Sequence, residues 1–277
     1  MQSLLDRPEI DDPVRAKFFA GREILIGLTL LGLVNSQYIR IFRQLTNYSV
    51  LDALVSTLGI SLVVWVAALS VLSTLSKSAS FSLNIKEYSV SAVSFLLFIS
   101  PVTGLSAVGL TLMGGYFSLF GRTPEVKTAM RLLIALAVAV MWGRLAMSFF
   151  LPYILQIDAT LASLLTGLDK TGNLVFASDG KTVLQVGAGC SSFLNVTNAT
   201  LGWFTAMIVL KGVWSVRAAT WLICSISTII AINTLRIGLI GWYPDYFWLI
   251  HGGIGSNVAN ICSSIAILYF SLRAARK

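Results

Sequence analysis

The chain has 277 residues, of which 56% are hydrophobic and 12% are charged, and that charged fraction is about half the usual share of a globular protein. A soluble domain of this size needs more polar surface to cover its core, so a mean hydropathy of +0.81 excludes an ordinary soluble domain. The net charge of +8 comes without a groove-reading or phosphate-cradling motif, so no nucleic-acid partner is expected. The three cysteines have no paired spacing, which argues against a disulfide framework or a zinc site, and we expect no metal and no cofactor.

Apolar runs long enough to cross a bilayer as helices recur along the whole chain. We predict an all-α, polytopic membrane helical bundle of about eight transmembrane helices, at residues 22–41, 49–76, 88–103, 105–120, 131–151, 191–210, 218–241 and 253–272. Pro101 and Gly104 divide the stretch from residue 88 to 120, which is too long for one span at about 1.5 Å per residue. Its two short halves are expected either to span or to form a re-entrant pair.

The basic residues are distributed unevenly between the two sides of these predicted spans. With the N-terminus inside, the inner segments hold Arg7, Arg15, Lys17, Arg22, Lys77, Lys86, Arg122, Lys127, Arg131, Lys211, Arg217, Arg273, Arg276 and Lys277. The outer segments hold only Arg40, Arg43, Lys170 and Lys181, and Arg144 and Arg236 fall within spans. Because Lys and Arg collect in cytoplasmic loops, we expect a multi-pass protein of the inner or plasma membrane with both termini cytoplasmic.

One outer segment is predicted to have its own structure. Residues 157–168 have apolar side chains at helical spacing, which is typical of an amphipathic helix lying on the membrane surface. Two short β-prone runs then flank Asp179-Gly180, which predicts a β-hairpin. This segment leads directly into Gly187-Ala188-Gly189-Cys190.

Cys190 has small neighbours and precedes the sixth predicted span. Small residues let another chain approach closely, and the positive end of a helix dipole favours a thiolate. A small buried cysteine is the ordinary alternative, and Cys224 and Cys262, which lie within spans, fit that alternative.

Three further polar residues stand out near or within the last spans. Arg236 lies inside the seventh span, three residues after Asn233 and therefore on the same helix face; a snorkelling arginine is its ordinary interpretation. His251, the only histidine, follows an aromatic loop at the outer entrance of the last span, where an interfacial role is also possible. Arg144 is expected to face the bundle interior, paired with a carboxylate or with carbonyls, because a charge in lipid is costly.

Taken together, Cys190, Arg236 and His251 fall at the same outer level on the last three spans. A thiol, an imidazole and a guanidinium are the groups that thiol acyl transfer requires. The thiolate attacks a carbonyl, the imidazole protonates the leaving amine, and the cation stabilises the oxyanion. These positions are therefore predicted to form a catalytic site.

At these positions the sequence resembles the exosortase and archaeosortase family of membrane transpeptidases. The family pattern is an outer Cys, an Asn-x-x-Arg and a His followed by Gly; it reads here as Gly189-Cys190-Ser191-Ser192, Asn233-Thr234-Leu235-Arg236 and His251-Gly252-Gly253-Ile254-Gly255. The resemblance covers roughly residues 131–272, which implies a catalytic core at 131–277 after N-terminal transmembrane helices at 1–130. The usual Gly after Cys-Ser is Ser192 here, a change that bears on the substrate motif more than on the chemistry.

The resemblance implies an activity, partners and a location. Such enzymes cleave secreted proteins at a C-terminal signal made of a short motif, a transmembrane helix and a basic cluster. They form a thioester and pass the protein to an amine acceptor at the outer membrane face. The partners implied are therefore those secreted proteins and membrane lipid, with Cys190, Arg236 and His251 as catalytic residues and with Asn233, Ser191, Ser192 and Arg144 as substrate-binding residues.

Two other functions remain open on the residues alone. A transporter or channel fits the charged residues within spans and the interruption near Pro101, although there is no inverted repeat and no acid deep in a span. A non-catalytic membrane scaffold in envelope polysaccharide assembly would need no aligned Cys, Arg and His. A transporter should tolerate Cys190→Ser, whereas a thiol nucleophile should not.

Overall fold

The protein is described here by a computed structural model that covers residues 20–47, 49–51 and 57–276. The N-terminal basic residues Arg7, Arg15 and Lys17, residues 52–56 of the predicted span 49–76, and Lys277 lie outside the described residues. The helices are α1 (Gly21–Asn47), α2 (Leu62–Ser76), α3 (Ile85–Phe98), α4 (Thr103–Phe120), α5 (Pro124–Ala137), α6 (Gly143–Thr166), α7 (Phe193–Val209), α8 (Val216–Trp242), α9 (Phe247–His251) and α10 (Gly253–Ala275). The strands are β1 (Lys170–Thr171), β2 (Leu174–Phe176) and β3 (Val183–Gln185).

Local capping signals set where several of these helices begin. Asn84 and Glu87 form a reciprocal capping box at α3, in which each side chain accepts a hydrogen bond from the other residue's backbone N–H. Ser215 caps α8 by accepting from the backbone N–H of Ala218, and Thr123 caps α5 directly before Pro124. Such caps satisfy N–H groups that the first helical turn leaves without an intrahelical partner.

Within the described residues, five helices are long and apolar enough to cross a membrane: Gly21–Asn47, Thr103–Phe120, Pro124–Thr166, Val216–Trp242 and Ile254–Ala275. Large apolar side chains are exposed along the helices, for example Leu69, Ile223 and Ile265, each more than 60% accessible. Contiguous apolar surface of this kind is rare on a soluble monomer and fits lipid. The chain is therefore a membrane protein with a mainly helical fold, as the sequence predicts.

The prediction of eight spans is supported only in part. The predicted spans 49–76, 88–103 and 191–210 correspond to α2, α3 and α7, whose 15, 14 and 17 residues are fewer than the roughly 20 that a bilayer normally requires. In the first of these segments, residues 49–76, a 3₁₀ turn at Thr57–Gly59 precedes the start of α2. Whether these three helices cross the membrane stays a prediction.

The predicted surface helix differs from the structure in its connection to the preceding span. Residues 157–166 are helical, but they form the end of α6, which continues from α5 through a π-helical turn at Val138–Trp142. Pro152 lies within this helix without ending it. The apolar face of the segment packs against β2, β3 and α8 through Ala159 and Ala162, so protein covers it, and a separate helix on the membrane surface is the wrong description.

The predicted β-hairpin is present and has one additional strand. β2 and β3 pair antiparallel with Phe176 opposite Val183, and β1 pairs with β2, which gives the order β1-β2-β3. Gly180 has a φ of +65°, a conformation that glycine adopts without strain. The Asp179 carboxylate accepts hydrogen bonds from the backbone N–H groups of Lys181 and Thr182 and from the Thr182 hydroxyl, which closes the turn.

The helices α7, α8 and α10 pack against one another and form the part of the bundle that carries the candidate site. The largest buried cluster lies elsewhere, among α1, α2, α4 and α5, with Leu25, Met113 and Leu133 inaccessible to solvent or nearly so. The α5–α6 helix joins the two regions and runs without a break across the predicted boundary at residues 130/131. The division of the chain into two parts stays a prediction.

Candidate active site

Cys190 and His251 are in direct contact. The Cys190 Sγ lies 3.0 Å from the His251 Nε2, although 61 residues separate the two in the sequence. Cys190 ends a 3₁₀ turn, Ala188–Cys190, shortly before α7, and His251 ends the short helix α9 before α10. Both residues therefore lie at the same end of neighbouring helices, and the contact is within the range over which a thiol and an imidazole exchange a proton.

The backbone around His251 is held by Arg236 and by a close turn. Arg236 donates from Nη2 to the carbonyl oxygen of His251 at 2.9 Å and from Nε to that of Ile250 at 3.3 Å. A Cβ at Gly255 would collide with the Ile250 carbonyl, so the entry into α10 requires glycine there. The imidazole stacks on the Phe247 ring, with 4.8 Å between centroids and 9° between planes, and this stacking fixes its orientation.

The observed contacts of Arg236 are with the main chain, and its role at an oxyanion stays a prediction. The sequence predicts a cation that stabilises the oxyanion, whereas two groups of this guanidinium bond to main-chain carbonyls of the His251 segment. Arg236 does not line the cavity that contains Cys190 and His251. Its contacts are those of a positioning residue, one that holds the histidine at the thiol.

The backbone of Cys190 is held from α8. The Asn233 side-chain amide donates to the Cys190 carbonyl oxygen at 2.7 Å, and Asn233 is only 6% exposed. Asn233 is predicted above to bind substrate. The structure uses its amide within the protein, because a buried side-chain amide needs a hydrogen-bond acceptor that the protein must supply.

Asp158 is a residue of the site that the sequence analysis did not find. It lies on α6, is 2% exposed, and accepts hydrogen bonds from the Ser192 hydroxyl at 2.6 Å and the Ser192 N–H at 3.3 Å. One signal was available: Asp158 stands beside Ala159, on the apolar face that also holds Leu155 and Ala162. A carboxylate on such a face is costly unless it is hydrogen-bonded, so its position indicates a specific partner.

Ser191 and Ser192 are buried and do not line the cavity. The Ser191 hydroxyl accepts from the backbone N–H of Phe193 at 3.2 Å, and the Ser192 hydroxyl is directed to Asp158. The Ser192 side chain therefore points inward and does not narrow the cavity. Both hydroxyl groups therefore bond within the protein and hold the part of the chain that directly follows Cys190.

Arg144 is not brought to this site. It lies fourteen residues before Asp158 on α6, which corresponds to about 21 Å along the helix. It is half-buried, and no hydrogen bond or ion pair joins its side chain to another residue in the part of the chain that the structure describes. The predicted pairing with a carboxylate or with carbonyls is therefore not observed.

A cavity of about 210 Å³ opens beside the thiol. It is lined by β3 and Val186 and by Ile237, Ile240 and Phe247, and both Cys190 and His251 border it. A Cβ built at Gly187 or Gly189 meets no atom within 4 Å, so the space beside the Cys190 turn is open. The cavity can take an uncharged group with a carbonyl next to the sulfur.

Burial and a neighbouring cation determine the charge state of the imidazole. His251 lies between the membrane-spanning segments, and its partial burial, followed by the positive charge of Arg236, lowers its pKa below the ordinary 6.5. Both effects disfavour the imidazolium. At neutral pH the ring is therefore uncharged and able to accept the thiol proton.

The other two cysteines have different surroundings. Cys224 is half-buried and Cys262 is exposed, and all three cysteines are free thiols. Among the described residues, no group of three His, Cys, Asp or Glu side chains is arranged to hold a metal ion. Cys190 is the cysteine in contact with the imidazole.

Comparison with known proteins yields no relative: no family model matches the chain, and neither a curated protein nor a solved structure is detectably similar to it.

Replacing Asp158 should destabilise the protein and disturb the site. Asp158→Ala leaves the Ser192 hydroxyl and N–H without partners in a buried position, at a cost of about 1–3 kcal/mol. We expect a lower thermal midpoint in detergent and slower alkylation of Cys190 by iodoacetamide. Asp169→Ala is the matched control because Asp169 is exposed; equal midpoints for the two variants would contradict the structural role of Asp158.

Removing the charge of Arg236 should move the pH dependence of Cys190. The reactive form needs neutral His251, so the acidic limb of the alkylation rate lies below pH 6.5, as expected from the lowered pKa. Arg236→Gln removes the charge that disfavours the imidazolium and shifts this limb to higher pH. Arg236→Lys keeps the charge and therefore the pH of the acidic limb. It should still lower the alkylation rate, because an ammonium group lacks the planar guanidinium that bonds both carbonyls. An unchanged limb in Arg236→Gln would show that the charge does not act on His251.

Proposed function

We propose that this protein is a membrane-embedded cysteine transpeptidase or peptidase of the exosortase type. It cleaves the C-terminal sorting signal of secreted proteins through a thioester and transfers them to an amine acceptor. The observation that carries the proposal is the 3.0 Å contact between Cys190 Sγ and His251 Nε2 at the wall of an open cavity. The order of the Cys, Asn-x-x-Arg and His-Gly motifs supports the same assignment.

The reaction proceeds in two transfers. His251 takes the proton of the Cys190 thiol as the sulfur attacks the scissile carbonyl, and the imidazolium then protonates the departing amine. The resulting thioester is attacked by the acceptor amine, whose proton passes to His251 as the sulfur leaves. Arg236 and Asn233 hold the two reacting groups in place through main-chain carbonyls, and Arg236 also disfavours a permanently charged imidazole.

The proposal includes a membrane orientation. The uneven distribution of basic residues supports cytoplasmic termini and a site on the outer face of an inner or plasma membrane. Cys190, His251 and the C-terminal end of α8 lie at one end of the α7, α8 and α10 group. A substrate helix beside this group brings its juxtamembrane motif to Cys190, while its basic cluster stays at the opposite, cytoplasmic side.

Intact mass of a co-expressed substrate tests the proposal. A secreted protein with a motif, a transmembrane helix and a basic cluster at its C-terminus should leave the membrane with its mass reduced by the tail. Additional mass on the new C-terminus identifies an amine acceptor, and its absence identifies water. A full-length, membrane-held substrate beside correctly folded enzyme would argue against the proposal.

A further inference from the structure

Strand β3 presents a free edge. The backbone N–H of Ala177 donates to the carbonyl of Thr182, and that of Val186 donates to the carbonyl of Asn173. In an antiparallel pair these bonds alternate along the strand, so the main-chain groups of Val183 and Gln185 face away from β2. No other element among the described residues supplies a backbone partner for them.

This edge borders the cavity beside Cys190. Side chains of a strand alternate between its two faces, yet the four consecutive residues 183–186 all line the cavity. It is therefore the main-chain edge, and not one face of the sheet, that meets the open space. The hairpin is fixed there because Ser178 donates its N–H to the Gly241 carbonyl and its hydroxyl to the Trp242 carbonyl.

The edge also lacks the features that usually block strand addition. Exposed edges are protected by Lys, Pro, a bulge or a covering element, whereas β3 consists of Val183, Leu184 and Gln185 and forms regular pairs with β2. Apolar side chains of Ile237, Ile240 and Phe247 form another part of the cavity wall. A charged side chain entering this space would lose its hydration without gaining a partner.

We propose that an extended, uncharged segment of the substrate adds to β3 as a further strand, and that this pairing delivers the scissile carbonyl to Cys190. The inference rests on the proposed function and specifies how that site recognises its substrate. Main-chain hydrogen bonds to Val183 and Gln185 hold the segment, and the apolar wall selects its side chains, as in other cases of strand addition. Cys190 follows the last residue of β3 by five positions, which places it next to the carbonyl end of this edge.

A proline substitution tests the pairing. Gln185→Pro removes an N–H that faces the cavity and leaves the bonds between β2 and β3 intact, as is tolerated at a sheet edge. The probe is a mixture of acetylated tetrapeptidyl chloromethyl ketones with apolar side chains, with iodoacetamide as a reagent too small to use the strand. Alkylation is read at Cys190 by peptide mass spectrometry of the full-length protein in detergent.

We expect the intact enzyme to react faster with the peptide mixture than with iodoacetamide, after correction for the reagents' intrinsic rates. In Gln185→Pro the ratio of the peptide rate to the iodoacetamide rate should fall about tenfold, the effect of one or two hydrogen bonds. The iodoacetamide rate itself should not change. Lys170→Pro is the matched control, since it removes an outward N–H at the opposite edge, on β1. Equal preferences in the two proline variants, or no preference in the intact enzyme, would overturn strand addition.

Methylated peptides give a second measurement that requires no variant. N-methyl groups placed in turn along the peptide should slow alkylation of the intact enzyme at every second position, because only alternate amides face β3. A flat profile would overturn the pairing even if Gln185→Pro fails to fold. Failure of the proposed function would give a different result. Iodoacetamide would then alkylate Cys190 at the same rate in the intact enzyme and in His251→Ala.

Discussion

Cys190→Ala should abolish release of a tripartite-tailed substrate, and uncut precursor should accumulate in the membrane. Cys190→Ser should come close to the same result, because a serine hydroxyl is far less ionised at neutral pH and the site offers a single imidazole to activate it. The measurement is the fraction of substrate released, followed by immunoblot and intact mass. Loss of the nucleophile removes the thioester path entirely, so this is the largest effect expected in the chain.

The other cysteines supply matched controls. Cys224→Ala and Cys262→Ala make the same Cys-to-Ala change at cysteines that do not contact His251. Both variants should release substrate at a rate close to that of the unmodified enzyme. Release at a normal rate by Cys190→Ala would remove the thiol mechanism and favour the scaffold or the transporter. Tolerance of Cys190→Ser with retained transport of a solute would specifically favour the transporter.

His251→Ala should lower the rate of release by about 10²–10⁴-fold, the usual contribution of a positioned general acid–base group. The variant loses both the acceptor of the thiol proton and the donor to the leaving amine. Raising the pH should restore part of the iodoacetamide reaction, because hydroxide can then take the proton that the imidazole no longer accepts. Release should not recover in parallel, since leaving-group protonation stays absent.

A second substitution at the same position separates chemistry from packing. His251→Phe retains a ring that can stack on Phe247 but has no nitrogen, so we expect a loss as large as that of His251→Ala. Thermal midpoints of the three proteins, measured in the same detergent, report any change in folding. Release by His251→Phe at near-normal rates would assign His251 a packing role and would leave the thiol without its base.

The site is supported by contacts that converge from separate helices. Asn233 on α8 holds the Cys190 carbonyl, Asp158 on α6 holds Ser192, and Arg236 holds the carbonyl of His251. The first and third of these bonds are made to the carbonyl oxygens of the reacting residues, and the second is made two residues after Cys190, so a small displacement changes the distance from sulfur to imidazole. We expect changes at these supporting residues to alter the reaction rate by displacing the thiol or the imidazole. Changes at Arg236 are also expected to alter the pKa of His251.

Membrane character, the helical class and the hairpin could be predicted from the sequence because they depend on local patterns. A run of apolar residues long enough to span a bilayer needs no distant partner to be recognised, and the same is true of two β-prone runs around Asp179-Gly180. The candidate residues Cys190, Arg236 and His251 were also available, since polar groups stand out in an apolar chain. A count of spans placed them at one membrane level, and the structure then brings Cys190 and His251 into contact while Arg236 bonds to the main chain.

The arrangement of the site was decided by tertiary structure. The C-terminal part of α6, the residue after β3 and the C-terminal part of α8 pack through Ala159, Val186 and Ile237. This packing sets which polar groups meet. It directs Asn233 and Ser192 inward, gives Asp158 its partner and leaves Arg144 about 21 Å away along α6. Spacing along a helix reports which residues share a face, but the partner of that face depends on residues far away in the chain, as for the 61-residue separation between thiol and imidazole.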